Sequence, residues 1–149
     1  MATVTFYTHV AAVTPFACRL VQKAWASGSR VLVWLEDESA RQSFDALLWS
    51  FEAASFVPHT VWLPEEAMQP PISAGVTLAC GAALPPLAAD TVVLNLADVY
   101  WCDAPQPPVR VLEIISDDLD ELAAARNRFR AYRQAGFTVQ HHDRAGKDG

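Results

Sequence analysis

Apolar and polar residues alternate from Thr3 to Thr8, and the β-branched and aromatic side chains there follow the period of a strand. Thr14 and Pro15 suit an N-cap and a first helical position. Behind them Phe16, Ala17, Leu20, Val21, Ala24 and Trp25 recur at helical spacing as far as Gly28. Arg30–Leu35 is an apolar run held between Gly28-Ser29 and Glu36-Asp37-Glu38, as in a strand buried on both faces of a parallel sheet. A second helix is predicted over 38 to 49, with Ala40, Phe44, Leu47 and Leu48 on its inner stripe. From 50 to 71 the periodicity lapses at Pro58, Pro64, Pro70 and Pro71, which predicts a long surface excursion displaying Phe51, Phe56 and Trp62. Short apolar strands are expected at 75 to 80, 91 to 96 and 109 to 114, and a terminal helix opens at Ser116 or Asp117.

Strands and helices in that order predict an α/β protein, a Rossmann-like three-layer fold with a mostly parallel sheet flanked by helices. Residues 1–142 are expected to form one domain and 143–149 a flexible polar tail. A chain of 149 residues, 52% hydrophobic and 19% charged, can bury a sizeable core without disulfide or metal staples.

The formal charge of -6 argues against a protein that coats nucleic acid, since phosphate binding needs a dominant cationic field. No direct DNA binding of note is expected, and any anion recognition must be local. Cys18, Cys80 and Cys102 have no CxxC spacing and an odd count, which fits buried thiols in a reducing compartment and no zinc or redox role. The first residues lack the basic and apolar regions of a signal peptide, and the uncharged stretch from 72 to 89 is broken by Gly75, Gly81, Pro85 and Pro86. A cytoplasmic protein without membrane contact is expected.

Several chemistries have no foothold. The turn from His9 to Pro15 contains no glycine to cradle a pyrophosphate, and neither GxxxxGK[ST] nor GxSxG occurs. Ser27-Gly28-Ser29 lies at a helix end, where a glycine C-cap accounts for it. His9, His59, His141 and His142 lack metal-ligand spacing, so neither metal nor cofactor is expected. Glu36 and Asp37 stand at a strand end, where parallel-sheet enzymes often place carboxylates. A small nucleotide-acting enzyme using them as acid and base is therefore the alternative reading, beside the plainer one of acids favoured by a helix dipole.

The terminal helix is charge-polarised, with Asp117, Asp118, Asp120 and Glu121 at its start, Arg126, Arg128, Arg130 and Arg133 further along, and Gly136 as its stop. The helix dipole alone would favour that arrangement. The spacing says more: Arg126, Phe129, Arg130 and Arg133 fall at i, i+3, i+4 and i+7, which brings three guanidinium groups and a ring to one side. Leu122, Ala125 and Tyr132 should face the sheet. A ring beside three arginines suits an anionic peptide with an apolar anchor, because the guanidinium fork holds carboxylates and stays charged when partly desolvated. Trp49 and Phe56, at a helix end and in a Pro-bounded loop, are either core plugs or interface anchors.

Six segments, in this order, resemble the DNA polymerase III chi subunit family: Phe6-Tyr7, the run from Ala24 to Leu32, Glu36-Asp37-Glu38, Asp45-Ala-Leu-Leu-Trp49, Ser55-Phe-Val-Pro-His59, and Arg128-Phe-Arg-Ala-Tyr-Arg133-Gln-Ala-Gly-Phe137. The resemblance spans nearly the whole chain. It implies a non-enzymatic clamp-loader subunit that binds the acidic, phenylalanine-terminated C-terminal tail of single-stranded-DNA-binding protein. Carried over position by position, it assigns that tail to Ile115, Arg126, Phe129, Arg130 and Arg133, with Leu122 standing where some members have lysine. It assigns Trp49 and Phe56 to the psi subunit or another clamp-loader component.

Overall fold

In the computed structural model, residues 2–50, 59–61, 75–81, 90–104 and 107–144 are described, without the side chains of 49, 50 and 59–61. The elements are β1 (Thr3–Thr8), α1 (Val13–Ala26), β2 (Arg30–Leu35), α2 (Glu38–Ser50), β3 (His59–Val61), β4 (Val76–Cys80), β5 (Thr91–Asn95), a 3-10 turn (Trp101–Asp103), β6 (Arg110–Ile114), α3 (Leu119–Gln134) and β7 (Thr138–Asp143). Seven strands form one sheet in the order β3-β4-β2-β5-β6-β1-β7, and every neighbouring pair is parallel.

The period-2 geometry of the strands divides the core into two layers. Val31, Val33 and Leu35 of β2 point to one face, where they meet Leu78, Leu94, and Phe16, Val21, Phe44 and Leu48 from α1 and α2. Leu32 and Trp34 point to the other face and join Val4, Phe6, Val93, Trp101, Ala125 and Tyr132 under α3. Trp34 and Trp101 meet edge to face with centroids 5.6 Å apart. Each fully buried aliphatic side chain contributes about 1.5–3 kcal/mol, which explains why continuous apolar runs occupy the centre of the sheet. The α/β three-layer architecture expected of the sequence is therefore present.

Several local readings change. Helix α1 begins two residues earlier than expected, with Ala12 at the N-cap and no side-chain cap; Thr14 and Pro15 lie inside the first turn. Pro15 is tolerated there because the first N–H groups of a helix have no intrahelical partner, and the Phe16 N–H is bonded to Ala12 O at 3.1 Å. Helix α3 is capped by Asp118 rather than Ser116 or Asp117, its carboxylate accepting from the Asp120 and Glu121 N–H groups. Two strands are additional. β3 has three residues and falls within the Pro-interrupted excursion, where no period is visible. β7 is an edge strand in which only Val139 is half-buried, so it reads as polar sequence. Asp143, counted with the tail by composition, is its last residue.

The turn between α3 and β7 aims both elements. The Gly136 N–H donates to Arg133 O at 3.1 Å and the Phe137 N–H to Tyr132 O at 3.0 Å, the paired bonds of a Schellman stop, while the Phe137 and Tyr132 rings pack 5.1 Å apart. Gly136 sits at φ 91°, and a Cβ there would meet nothing within 4 Å. Gly136→Ala is expected to cost about 1–2 kcal/mol through backbone strain alone, read as a lower urea midpoint with an unchanged m-value. An unchanged midpoint would show that another stop serves the helix.

Candidate functional site

The orientation of α3 is set by a carboxylate buried in the sheet. Glu113 of β6 is wholly buried. It accepts from Asn95 Nδ2 at 2.8 Å and Tyr132 Oη at 3.0 Å on one oxygen, and from Arg128 Nε at 3.1 Å on the other. Arg128 also donates to Asp98 Oδ1 at 2.6 Å, and Asn95 to Val99 O at 3.1 Å. Desolvation raises the Glu113 carboxyl to about 7 against the opposing pull of Arg128, Asn95 and Tyr132. Burial, with Glu113 alongside, likewise raises the Tyr132 phenol. This network was not anticipated. Its signal in the sequence is a single acid inside the apolar run Val111-Leu-Glu-Ile-Ile115, together with Arg128, which belongs to the inner face and not to the cationic stripe.

On the outer side of α3 lies a hollow of about 510 Å3, lined by Phe6, Thr8, His9, Leu122, Ala125, Arg126, Phe129, Arg130, Arg133 and His141. The four stripe residues predicted from helical spacing come together in it. The Phe129 ring is half-buried, stands 5.6 Å from the Phe6 ring, and has the Arg133 guanidinium over it at 5.9 Å. Arg126, Arg130 and Arg133 are exposed, and none of them is ion-paired among the described residues; Arg130 has only Asn127 at 3.4 Å. Leu122 and Ala125 face both the core and the hollow.

Ile115 is placed differently. It is buried in the core beneath α3 and lines a neighbouring hollow with Glu36, Asp98, Glu121 and Arg128. Its backbone accepts from the Val10 N–H at 3.0 Å and donates to Tyr7 O at 2.8 Å, so it holds the end of β1 that carries Thr8 and His9 to the arginine hollow. His9 adopts φ 57°, and its ring nitrogen bonds the Asp117 carboxylate. Thr8 Oγ1 meets His141 Nε2 at 2.6 Å. Phe6, Thr8, His9 and His141 had no signal as site residues, because they reach the hollow through strand pairing between distant segments.

Glu36 and Asp37 both serve local structure: Glu36 accepts from the Asp98 N–H at 3.2 Å, and Asp37 accepts from the Ala40 N–H at 2.8 Å at the start of α2. Trp49 lies in the last turn of α2, on the sheet face opposite α3, and Phe56 falls outside the described residues. Among the described residues no group of His, Cys, Asp and Glu could hold a metal ion.

The architecture and the site together define a Rossmann-like α/β domain with a cationic hollow on its α3 face. Residues 1–140 match the family model described as DNA polymerase III chi subunit, HolC, and the chain belongs to that family. It is 35% identical over 126 residues to DNA polymerase III subunit chi of Pseudomonas aeruginosa, across 85% of this chain and 82% of that protein. It is 31% identical over 132 residues to DNA polymerase III subunit chi of Escherichia coli K12, across 87% and 84%. The crystal structure of T4 UvsW is similar in fold, with a TM-score of 0.61 at 8% identity, over 95% of this chain and 42% of that one. Membership makes the chain an accessory subunit of a multi-subunit replication polymerase.

The buried carboxyl leads to a pH test. An unfolded Glu titrates near 4.5 and the folded group at about 7, so between those values the folded state holds the extra proton and this group's contribution falls as pH rises. The stability advantage of the wild type over Glu113→Gln is therefore expected to shrink from pH 4.5 to 7, by on the order of 3 kcal/mol, in urea titrations at several pH values. An advantage that grows with pH would mean that attraction to Arg128 outweighs desolvation.

Proposed function

We propose that the hollow beside α3 receives the acidic, phenylalanine-terminated C-terminal tail of single-stranded-DNA-binding protein. The chain, with no catalytic chemistry of its own, would then couple that protein to the clamp loader during replication in the cytoplasm. The observation that carries this reading is a set of three guanidinium groups, free of ion pairs among the described residues, around an aromatic-floored hollow on a chain of net charge -6. Phe6, Leu122, Ala125 and Phe129 offer an apolar seat for the terminal ring. Arg126 pairs with the terminal carboxylate, Arg130 and Arg133 attract the preceding acids, and Ile115 acts by holding the β1 end in place.

The second attachment, to the psi subunit or another clamp-loader component, is assigned to Trp49 and Phe56. Helix α2 packs on the face of the sheet opposite α3, so one molecule could engage two partners without competition between them. No described helix is long and apolar enough to cross a membrane.

Titration calorimetry with a synthetic acidic peptide ending in phenylalanine tests the hollow. Arg126→Ala is expected to weaken binding by about 1.5–3 kcal/mol, the worth of a hydrogen bond between charged groups. Binding by the wild type should also weaken as salt screens the exposed charges. Undiminished affinity in Arg126→Ala would remove the hollow as the tail's site. A Trp49→Ala, Phe56→Ala double variant should keep its affinity for the peptide while losing co-purification with the clamp loader. Loss of peptide binding instead would refute the division into two faces.

A further inference from the structure

The hollow reaches the edge strand of the sheet, whose outer side no strand among the described residues pairs with. Its floor comes from Phe6 and Thr8 of β1 and His141 of β7, its wall from α3, and β7 is the last strand of the sheet. The Thr138 N–H donates to Ala2 O at 2.9 Å and the Arg144 N–H to Thr8 O at 2.8 Å, which sets the parity of the ladder. Even-numbered residues of β7 bond to β1. Val139 and His141 point their N–H and C=O groups outward, and no strand among the described residues pairs with that side. The side chains of these two residues lie on the α3 face: Val139 packs against the core beneath α3, and His141 lines the hollow.

We infer that the partner's tail binds as an added parallel strand on β7, so that its backbone, and not only its terminal ring and charges, is recognised. This inference rests on the tail reading above. An eighth strand would lie about 4.8 Å beyond β7 and pair with the backbone of Val139 and His141. Alternate side chains of that strand would rise on the α3 face, where Arg130 and Arg133 stand. α3 runs back along the sheet from the C-terminal ends of the strands, so Arg126 lies nearer those ends than Arg133. A chain whose terminal carboxylate reaches Arg126 while its earlier acids pass Arg133 therefore runs in the same direction as β7. Capture of a chain end combined with strand addition is an established way to bind an extended peptide, in which main-chain bonds supply affinity and pockets supply specificity. Charge favours this occupant over a second copy of the chain, which would bring its own arginines against these.

The test uses the full chain and the same acidic, phenylalanine-terminated peptide, with backbone N-methyl groups placed at one alternate set of residues or at the other. Methylation of the set facing β7 is expected to weaken binding on the order of tenfold, and methylation of the other set to leave it nearly unchanged. In parallel, hydrogen exchange at the Val139 and His141 amides should slow when the unmodified peptide binds. Equal affinity for both methylated peptides, with no new protection, would confine the tail to the hollow and overturn strand addition while leaving the tail reading intact. Failure of the unmodified peptide to bind would overturn both. Protection of the two amides in the peptide-free protein that grows with its concentration would give the edge to a second copy and overturn the inference.

Discussion

A single carboxylate removed from water governs how this molecule presents itself. Glu113 lies in the sheet with three side-chain donors converging on it, two of them, Arg128 and Tyr132, one turn apart on α3. A buried acid without partners would cost several kcal/mol, so the geometry that satisfies it is strongly preferred over neighbouring rotations of the helix. Apolar packing of Ala125 alone would let α3 roll. The hydrogen-bonded pair at 128 and 132 fixes its azimuth.

The site follows from that azimuth. Each helical residue advances about 100°, so Arg126 and Arg130, two positions to either side of Arg128, are carried about 200° round the axis and away from the inner network. The helix thus sorts chemically identical groups by position. Arg128 is spent on Glu113 and Asp98, while Arg126, Arg130 and Arg133 remain exposed around the Phe129 ring. On a molecule of net charge -6 these three make a confined positive region, suited to a short anionic segment and unsuited to a long polyanion.

The parts of this arrangement that were legible in the chain are those governed by short-range periods. The apolar run Arg30–Leu35, the stripe at 126, 129, 130 and 133, and the glycine stop at 136 each declare themselves within a few residues. β7 did not, because an edge strand with solvent on most of its side chains carries no hydrophobic alternation. The role of Arg128 was equally hidden. Its partners Asp98 and Glu113 lie 30 and 15 residues away in sequence, Asn95, which bonds the same carboxylate, lies 33 away, and only the order of strands in the sheet brings them together. The hollow shows both sides of this: its helical wall was readable, and its floor of Phe6, Thr8 and His141 required the pairing of β1 with β7.

The sheet order also explains why a Rossmann-like layout need not act at the usual place. In such folds ligands commonly enter the crevice at the C-terminal ends of the strands where the chain reverses direction across the sheet. Here that point lies between β2 and β5, since β2 leads toward β3 at one edge and β5 leads to β6 on the other side. The crevice is lined by Glu36, Asn95, Asp98 and Arg128, and these groups bond mainly to one another and to the local backbone. Its polar groups are used in stabilising α3, and the turn after β1 contains no glycine to cradle a phosphate. The exposed cations lie instead on the outer flank of the same helix, so that one element supplies both the structural arginine and the exposed ones.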